Sequence, residues 1–151
     1  MATTPRPAHR RLPQRGVALI EFALILPMLL VLTFITTEFG RAVYEYSVVT
    51  QSVRDAARYL SMVTPNSHQA QAANIAVYGN AAGTGRPLAR GLSTGLVQSE
   101  WLPPTGSSPA IRIVRVRVAG YQFQSLFTTA FGQDFGVLEF PAISASMRSY
   151  L

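Results

Sequence analysis

The chain contains no cysteine and no lysine, only two histidines, and seven acids in 151 residues. Without cysteine there is no disulfide, iron–sulfur cluster or thiolate zinc site, and the redox state of the compartment is left open. With only His9 and His68, a Ser-His-Asp arrangement or an imidazole metal site would have to rest on His68 alone. A solvated histidine in the first turn of a helix is the simpler reading. Asp134 and Glu139 flank a glycine-containing turn, but two acids at a loop-to-strand transition are ordinarily solvated rather than paired for acid–base work. Gly83-Thr84-Gly85-Arg86 lacks the spacing and the lysine of a phosphate-binding loop and reads as flexible loop. No enzymatic activity, metal or cofactor is expected.

All 13 basic residues are arginine, and the formal net charge is +6. Arg6, Arg10, Arg11 and Arg15 precede residue 17 with no acid among them, and the remainder carries nine arginines against seven acids, or +2. The positive charge is therefore concentrated at one end, where it bears on topology, and no nucleic-acid partner is expected.

Long apolar runs are absent except for one. Val17 to Thr37, VALIEFALILPMLLVLTFITT, holds a single charge in 21 residues, and a helix of that length spans about 31 Å, one hydrocarbon core. The basic, acid-free flank upstream keeps the N-terminus in the cytoplasm by the positive-inside rule. Glu38, Arg41 and Glu45 follow with alternating sign, so residues 38–151 lie outside the bilayer. A cleavable secretory signal would have a shorter apolar core and a small-x-small site, whereas this run leads directly into Glu38-Phe39-Gly40-Arg41. The one charge inside the run, Glu21, would cost about 2.5 to 3.5 kcal/mol at the bilayer centre and less near one end. It is a functional candidate, with snorkelling to the headgroups as the bland alternative. Pro27 removes an amide donor within the helix and is expected to kink it near Ala23.

Arg15-Gly16 before the run, Glu21-Phe22 near its start, Pro27 within it and Asp55-Ala56-Ala57-Arg58 at the end of the following polar helix resemble the N-terminal signature of TadE-like pilus-assembly proteins of tight-adherence (Flp-type) systems. The basic peptide ending in glycine, with glutamate as the fifth residue beyond it, resembles a type IV prepilin leader. The resemblance implies cleavage between Gly16 and Val17 by a membrane-embedded prepilin peptidase, with Arg15, Glu21 and Phe22 serving peptidase recognition or assembly. It also implies other pilin-like subunits, the major Flp pilin and an inner-membrane assembly platform as partners. Major pilins of that system are much shorter, so a minor or accessory subunit is implied. Two rivals share part of the pattern: a pseudopilin of a general secretion system, and a signal-anchored envelope-binding domain in which Gly16 and Glu21 are coincidental.

Physical reasons for these residue types stand apart from the resemblance. Glycine lacks a β-carbon and disfavours helix by about 1 kcal/mol relative to alanine, which eases unwinding at a scissile bond. Cleavage there would create an α-amine on Val17, largely cationic at neutral pH. That amine could offset the burial of Glu21 in the same subunit or in its neighbour.

Beyond the run the helix is expected to continue to about residue 62. Phe39, Val43, Tyr46, Val49, Val53, Ala57 and Leu60 recur at three and four, and Glu38, Arg41 and Glu45 make i,i+3 and i,i+4 contacts. This apolar stripe needs a cover, either the protein's own sheet or other subunits. Thr64-Pro65-Asn66 breaks the chain, and Ser67 to Tyr78 reads as a second helix ending at Gly79. A glycine-rich loop follows, then a strand from Leu96 to Leu102 and a turn at Pro103-Pro104-Thr105-Gly106.

In Ile111 to Val118 the apolar phase shifts from Ile111 and Ile113 to Val114, Val116 and Val118. The shift implies a bulge near Ile113 or a strand covered in part on both faces. Arg115 and Arg117 share a face of this strand; with Arg112 they read as edge protection, or else as a site for an acidic surface or polysaccharide. Tyr121 to Phe127 alternates with Tyr121, Phe123 and Phe127 on one side, and a last strand or pair spans Val137 to Tyr150, with Pro141 confining its first part to an edge or start.

The expected fold is α+β and pilin-like, a long N-terminal transmembrane helix continuing into an exterior domain with an antiparallel sheet of three or four strands. Its parts are a cytoplasmic leader (1–16), a transmembrane helix (17–37), a helix continuation (38–63) and an exterior α+β domain (64–151). The resemblance implies a place in the bacterial inner membrane with the exterior domain periplasmic, and allows for incorporation into a surface pilus for adhesion.

Overall fold

The computed structural model describes residues 15–105, 111–126, 129–130, 133–134 and 137–149. Arg6, His9, Arg10, Arg11, Gly106, Phe127 and Tyr150 lie outside the described residues. One helix, α1, runs from Arg15 to Ser61, 47 residues with Pro27 inside it. The chain divides into two compact units between Thr37 and Glu38.

In the first unit the helix is bare. From Gly16 to Thr37 every residue is exposed except Val31, which is partly covered, and its best 18-residue window has a mean hydropathy of 2.5. The three threonines of this segment are satisfied within the helix: Thr33, Thr36 and Thr37 donate to the carbonyls of Leu29, Leu32 and Thr33, each at 2.8 Å. Back-bonding of this kind lets a hydroxyl sit in hydrocarbon without an unmet donor.

The second unit is built on the continuation of α1. Ala42, Val49, Ser52, Val53, Ala56, Ala57, Leu60 and Ser61 are buried, whereas Phe39, Val43 and Tyr46 of the expected stripe are exposed at 70, 52 and 40%. The stripe is thus core only in its distal half. Near residue 42 the buried line runs along the side of α1 that carries Glu38, Ala42 and Glu45, and Phe39 and Val43 turn away from it. Helix α2, Gln69–Tyr78, ends where Gly79 takes a left-handed φ of 74° and donates its amide to the Ile75 carbonyl at 2.9 Å, a conformation that costs glycine nothing. Gly83, at φ 71°, sits so close to Asn74 that a β-carbon would come within 2.8 Å of its amide group.

A 3-10 turn at Thr94–Leu96 leads into β1, Val97–Thr105. The proline pair expected to turn the chain lies inside this strand. β1 is an edge of the three-stranded antiparallel sheet β1-β2-β7 (β2, Ile111–Val118; β7, Ile143–Arg148), and an edge strand can lose amide donors on its open side. The register steps from Leu102↔Ile113 to Thr105↔Ile111, so Pro103 and Pro104 of β1 oppose the single Arg112 of β2. The irregularity inferred near Ile113 therefore belongs to its partner, at Pro103-Pro104, while β2 stays in regular register with β7 from Ile113 to Val118.

Val114, Val116 and Val118 face the core, and Ile113, Arg115 and Arg117 lie on the other face. Because β2 is the central strand, these arginines do not guard an edge as expected. Arg115 spans the sheet instead, 3.1 Å from Glu100 on β1 and 3.3 Å from Ser146 on β7. Two short ribbons complete the unit: β3 (Gln122–Gln124) with β6 (Val137–Glu139), and β4 (Thr129–Ala130) with β5 (Gln133–Asp134). Pro141 falls between β6 and β7.

The Asp-Ala-Ala-Arg segment acquires a packing reason here. Ala56 and Ala57 are fully buried in one cluster with Ala72, Ala76 and Val77 of α2 and the valines of β2, while Asp55 and Arg58 on either side are exposed. Two small residues flanked by charges suit a helix face that neighbouring elements approach closely.

Candidate processing and assembly site

The N-terminal motif residues occupy the first four turns of α1. Among the described residues α1 begins at Arg15, and nothing lies within 4 Å of where a β-carbon on Gly16 would sit. Glycine disfavours helix by about 1 kcal/mol relative to alanine, which eases unwinding at the bond to Val17. Val17 is 69% exposed and Phe22 57%; Glu21 is exposed as well. Val17 and Glu21 are one turn apart on a continuous helix, a spacing that puts their β-carbons about 5–6 Å from each other. An α-amine on Val17 would thus lie within reach of the Glu21 carboxylate of its own chain, and both groups are open to a neighbour. α1 continues through Pro27, whose missing amide leaves the Ala23 carbonyl without its usual donor.

At the start of the second unit the charges form a bracket that ties the helix to the sheet side. Arg41 lies 2.7 Å from Glu38 and 3.6 Å from Glu45, the i,i+3 and i,i+4 contacts expected from the spacing. Each acid also reaches a segment some 80 residues away in sequence. The Tyr121 hydroxyl donates to Glu45 at 2.8 Å, with the Arg90 carbonyl 3.2 Å away. Glu38 accepts from the Ser125 hydroxyl at 2.9 Å and from the Leu126 amide at 3.2 Å.

The Arg41 guanidinium lies over the Phe123 ring, 5.3 Å from its centroid, and Phe140 packs against Tyr46, Tyr121 and Phe123 at centroid distances of 5.4, 5.7 and 6.3 Å. Partial burial pushes the Glu38 carboxyl up, but the hydrogen bonds from Arg41, Ser125 and Leu126 outweigh it and hold the group below its ordinary value. Burial first, then the Glu45 hydrogen bond and charge, drive the Tyr121 phenol well above its ordinary value, so it stays a donor. Hydrogen bonds to charged groups contribute about 1.5–3 kcal/mol. Tyr121→Phe is accordingly expected to lower the stability of the full-length protein in detergent by about that amount, read from urea unfolding; an unchanged midpoint and slope would show that the bracket holds nothing.

Reasoning from sequence found the helix side of this bracket and missed its partners. Tyr121 and Phe123 were visible as one side of an alternating strand, but nothing local signals that they face Glu45 and Arg41.

Of the remaining candidates, His68 is an exposed residue in the left-handed region at φ 57°, with its Nδ1 2.8 Å from the Ser67 hydroxyl and its ring edge-on to Tyr59. Among the described residues no group of three or more His, Asp or Glu side chains converges as a metal set would. Gly83-Thr84-Gly85-Arg86 lies in a loop closed by Asn80, whose side chain donates to the Thr84 carbonyl at 2.8 Å and accepts from its amide at 3.1 Å.

The exposed Gly16-to-Glu21 turn, the apolar helix and the buried Ala56-Ala57 pair all fall in one continuous element. Residues 16–58 match the TadE-like protein family. The TadE-like match begins at the glycine and ends at Arg58, so it takes in Gly16, Glu21, Pro27 and Asp55 to Arg58. The apolar helix within the matched residues is long and apolar enough to cross a membrane. The chain has no significant match among curated proteins or solved structures.

Proposed function

We propose that the protein is a non-enzymatic, minor pilin-like subunit of a tight-adherence (Flp, type IVc) pilus, anchored by residues 17–37 in the inner membrane with its N-terminus cytoplasmic. A prepilin peptidase removes residues 1–16, and the α-amine released on Val17 pairs with Glu21 of the same or an adjacent subunit as the chain joins other pilin-like subunits on the assembly platform. The observation that carries this reading is the helix from Gly16 to Thr37, apolar and uncovered along its length except at Val31, with one carboxylate four residues beyond the first residue of the mature chain. Lipid can cover such a surface, and so can other helices of the same kind. A partner cation offsets the cost of the carboxylate within it.

Intact-mass measurement of the protein isolated from its host is expected to show a chain beginning at Val17 when the peptidase is active, and the full-length chain when it is inactivated. Retention of residues 1–16 beside an active peptidase overturns the proposal in favour of a simple anchored domain. A deletion strain that is defective in secretion but normal in adhesion would assign the same processed subunit to a secretion pseudopilus.

A further inference from the structure

The two edges of the three-stranded sheet are not alike. Along β1 the open side is interrupted by Pro103 and Pro104, which lack amide donors and sit where the register with β2 steps. The Val97 amide at its start is turned back onto the Thr94 carbonyl. Prolines and bulges are ordinary means of closing a sheet edge to further strands. β7, on the other side of β2, has neither: Ile143–Arg148 reads ISASMR, with no proline or glycine and one charge.

The register identifies the backbone groups that are left over. The Ser149 amide donates to the Arg112 carbonyl at 2.8 Å, and that pair continues the run from Val118↔Ile143 to Ile113↔Arg148. Hydrogen-bonded and non-hydrogen-bonded pairs alternate along an antiparallel ladder. Ile143, Ala145 and Met147 therefore bond to β2, and the amides and carbonyls of Ser144, Ser146 and Arg148 point away from it. Among the described residues these backbone groups have no hydrogen-bond partner. The side chains of Ser144, Ser146 and Arg148 are exposed, while Ala145 and Met147, on the core face, are partly covered.

We propose that the open edge of β7 pairs with β7 of a second copy of this chain, antiparallel about a twofold axis at Ser146, joining two sheets into one. Main-chain pairing of this kind supplies affinity, and the alternate side chains supply specificity. The strand suits its own copy. With Ser146 opposite Ser146, each Arg148 faces Ser144 of the second copy and no like charges meet, whereas a slip that set Arg148 opposite Arg148 would be penalised. On the core face Ala145 lies opposite Met147 of the second copy, a small side chain against a long one. The outward residues of the two strands exchange about six backbone hydrogen bonds in this register. Every group named lies in β1, β2, β7 or the residues adjoining them, so the inference is independent of the membrane-anchored reading.

The chain has no cysteine of its own, so single cysteines report the pairing in full-length protein in detergent. Opposed residues of a hydrogen-bonded pair have Cα atoms about 5.5 Å apart, inside the range of about 4.4–6.8 Å that a disulfide spans. Two copies of residue 144 would lie about 14 Å apart along the strands. Under copper–phenanthroline oxidation Ser146→Cys is expected to give several-fold more covalent dimer than Ser144→Cys or the exposed loop variant Ala81→Cys. Ser144→Pro, which removes an outward amide and spares the ladder with β2, is expected to lower the yield at Cys-substituted position 146 several-fold. The near-ultraviolet signal of Trp101 reads whether that double variant is folded, and the single-cysteine comparison stands without it.

A dimer yield at 146 no higher than at 81 overturns the pairing, even where sedimentation shows a dimer, since that dimer then forms through another surface. Equal yields at 144 and 146 overturn the register and the proposal with it. A yield at 146 that Ser144→Pro leaves unchanged in folded protein overturns the backbone ladder as its cause. Crosslinks in host membranes that join position 146 only to other proteins assign the edge to a foreign strand and overturn the second copy as its occupant.

Discussion

Glu21→Ala leaves the protein inserted and cleaved but nearly absent from assembled pili. Removing a carboxylate from the apolar run lowers the cost of insertion, since the acid costs about 2.5–3.5 kcal/mol at mid-bilayer and less toward one end; a defect in membrane delivery is therefore not expected. Gly16 and Val17 are untouched, so the proposed cut between them is expected to continue. What disappears is the partner of the new α-amine. A charge-assisted interaction worth about 2–3 kcal/mol corresponds to roughly a 30- to 150-fold change in an equilibrium, here the equilibrium between free subunit in the membrane and subunit in the assembly. The measurement is the ratio of the protein in sheared pili to that in the membrane fraction, alongside an intact mass to show the cut after Gly16. Glu21→Gln separates charge from shape: it keeps the volume and the hydrogen-bonding oxygen, and should restore only part of the incorporation. Wild-type levels of the alanine variant in pili would sink the pairing and leave Glu21 as a snorkelling surface acid.

The parts of this molecule that could be read in advance are those whose physics is local. A 21-residue apolar run with asymmetric flanking arginines, a proline–asparagine break at residues 64–66 and a glycine at 79 depend only on neighbours in sequence. The helix bounds, the second helix and its left-handed end emerge accordingly. Of the two apolar phases of β2, the one carrying Val114, Val116 and Val118 is the buried face.

The errors arose where a residue's environment is supplied from far away in sequence. Pro103 and Pro104 look like a turn until β1 is known to be an edge, and Arg115 looks like edge protection until β2 is known to be central with Glu100 beside it. The same holds for the bracket: Glu38, Arg41 and Glu45 were legible as a helix-surface ion network, but Ser125 and Tyr121, which bury and satisfy their outer oxygens, lie 87 and 76 residues on. The N-terminal motif is a different case. Its spacing was fully visible, and the structure adds that Gly16, Val17 and Glu21 share exposed, continuous helix.

Leu60→Ala is expected to destabilise the second unit by about 2–5 kcal/mol, the range for removing a fully buried leucine and leaving a cavity. Leu60 has 0% exposure and belongs to the cluster that joins α1, α2 and the core face of the sheet. Its neighbours there include Ala56, Ala57, Ala72 and Ala76, side chains too short to swing into the vacated space, which places the expected cost toward the upper part of the range. Val43→Ala, on the same helix and in the same apolar periodicity, is the matched control. Val43 is 52% exposed, and alanine favours helix over valine, so its effect should stay within about 0.5 kcal/mol. Urea unfolding of the full-length protein in detergent, followed by the near-ultraviolet signal of the single Trp101 on β1, reads both. The two variants distinguish a stripe that is core along its whole length, where both would lose stability, from one that turns out of the core near residue 42. Equal losses would show that Val43 is covered within its own chain. A large loss at Leu60 alone would show that Phe39 and Val43 lie outside the core.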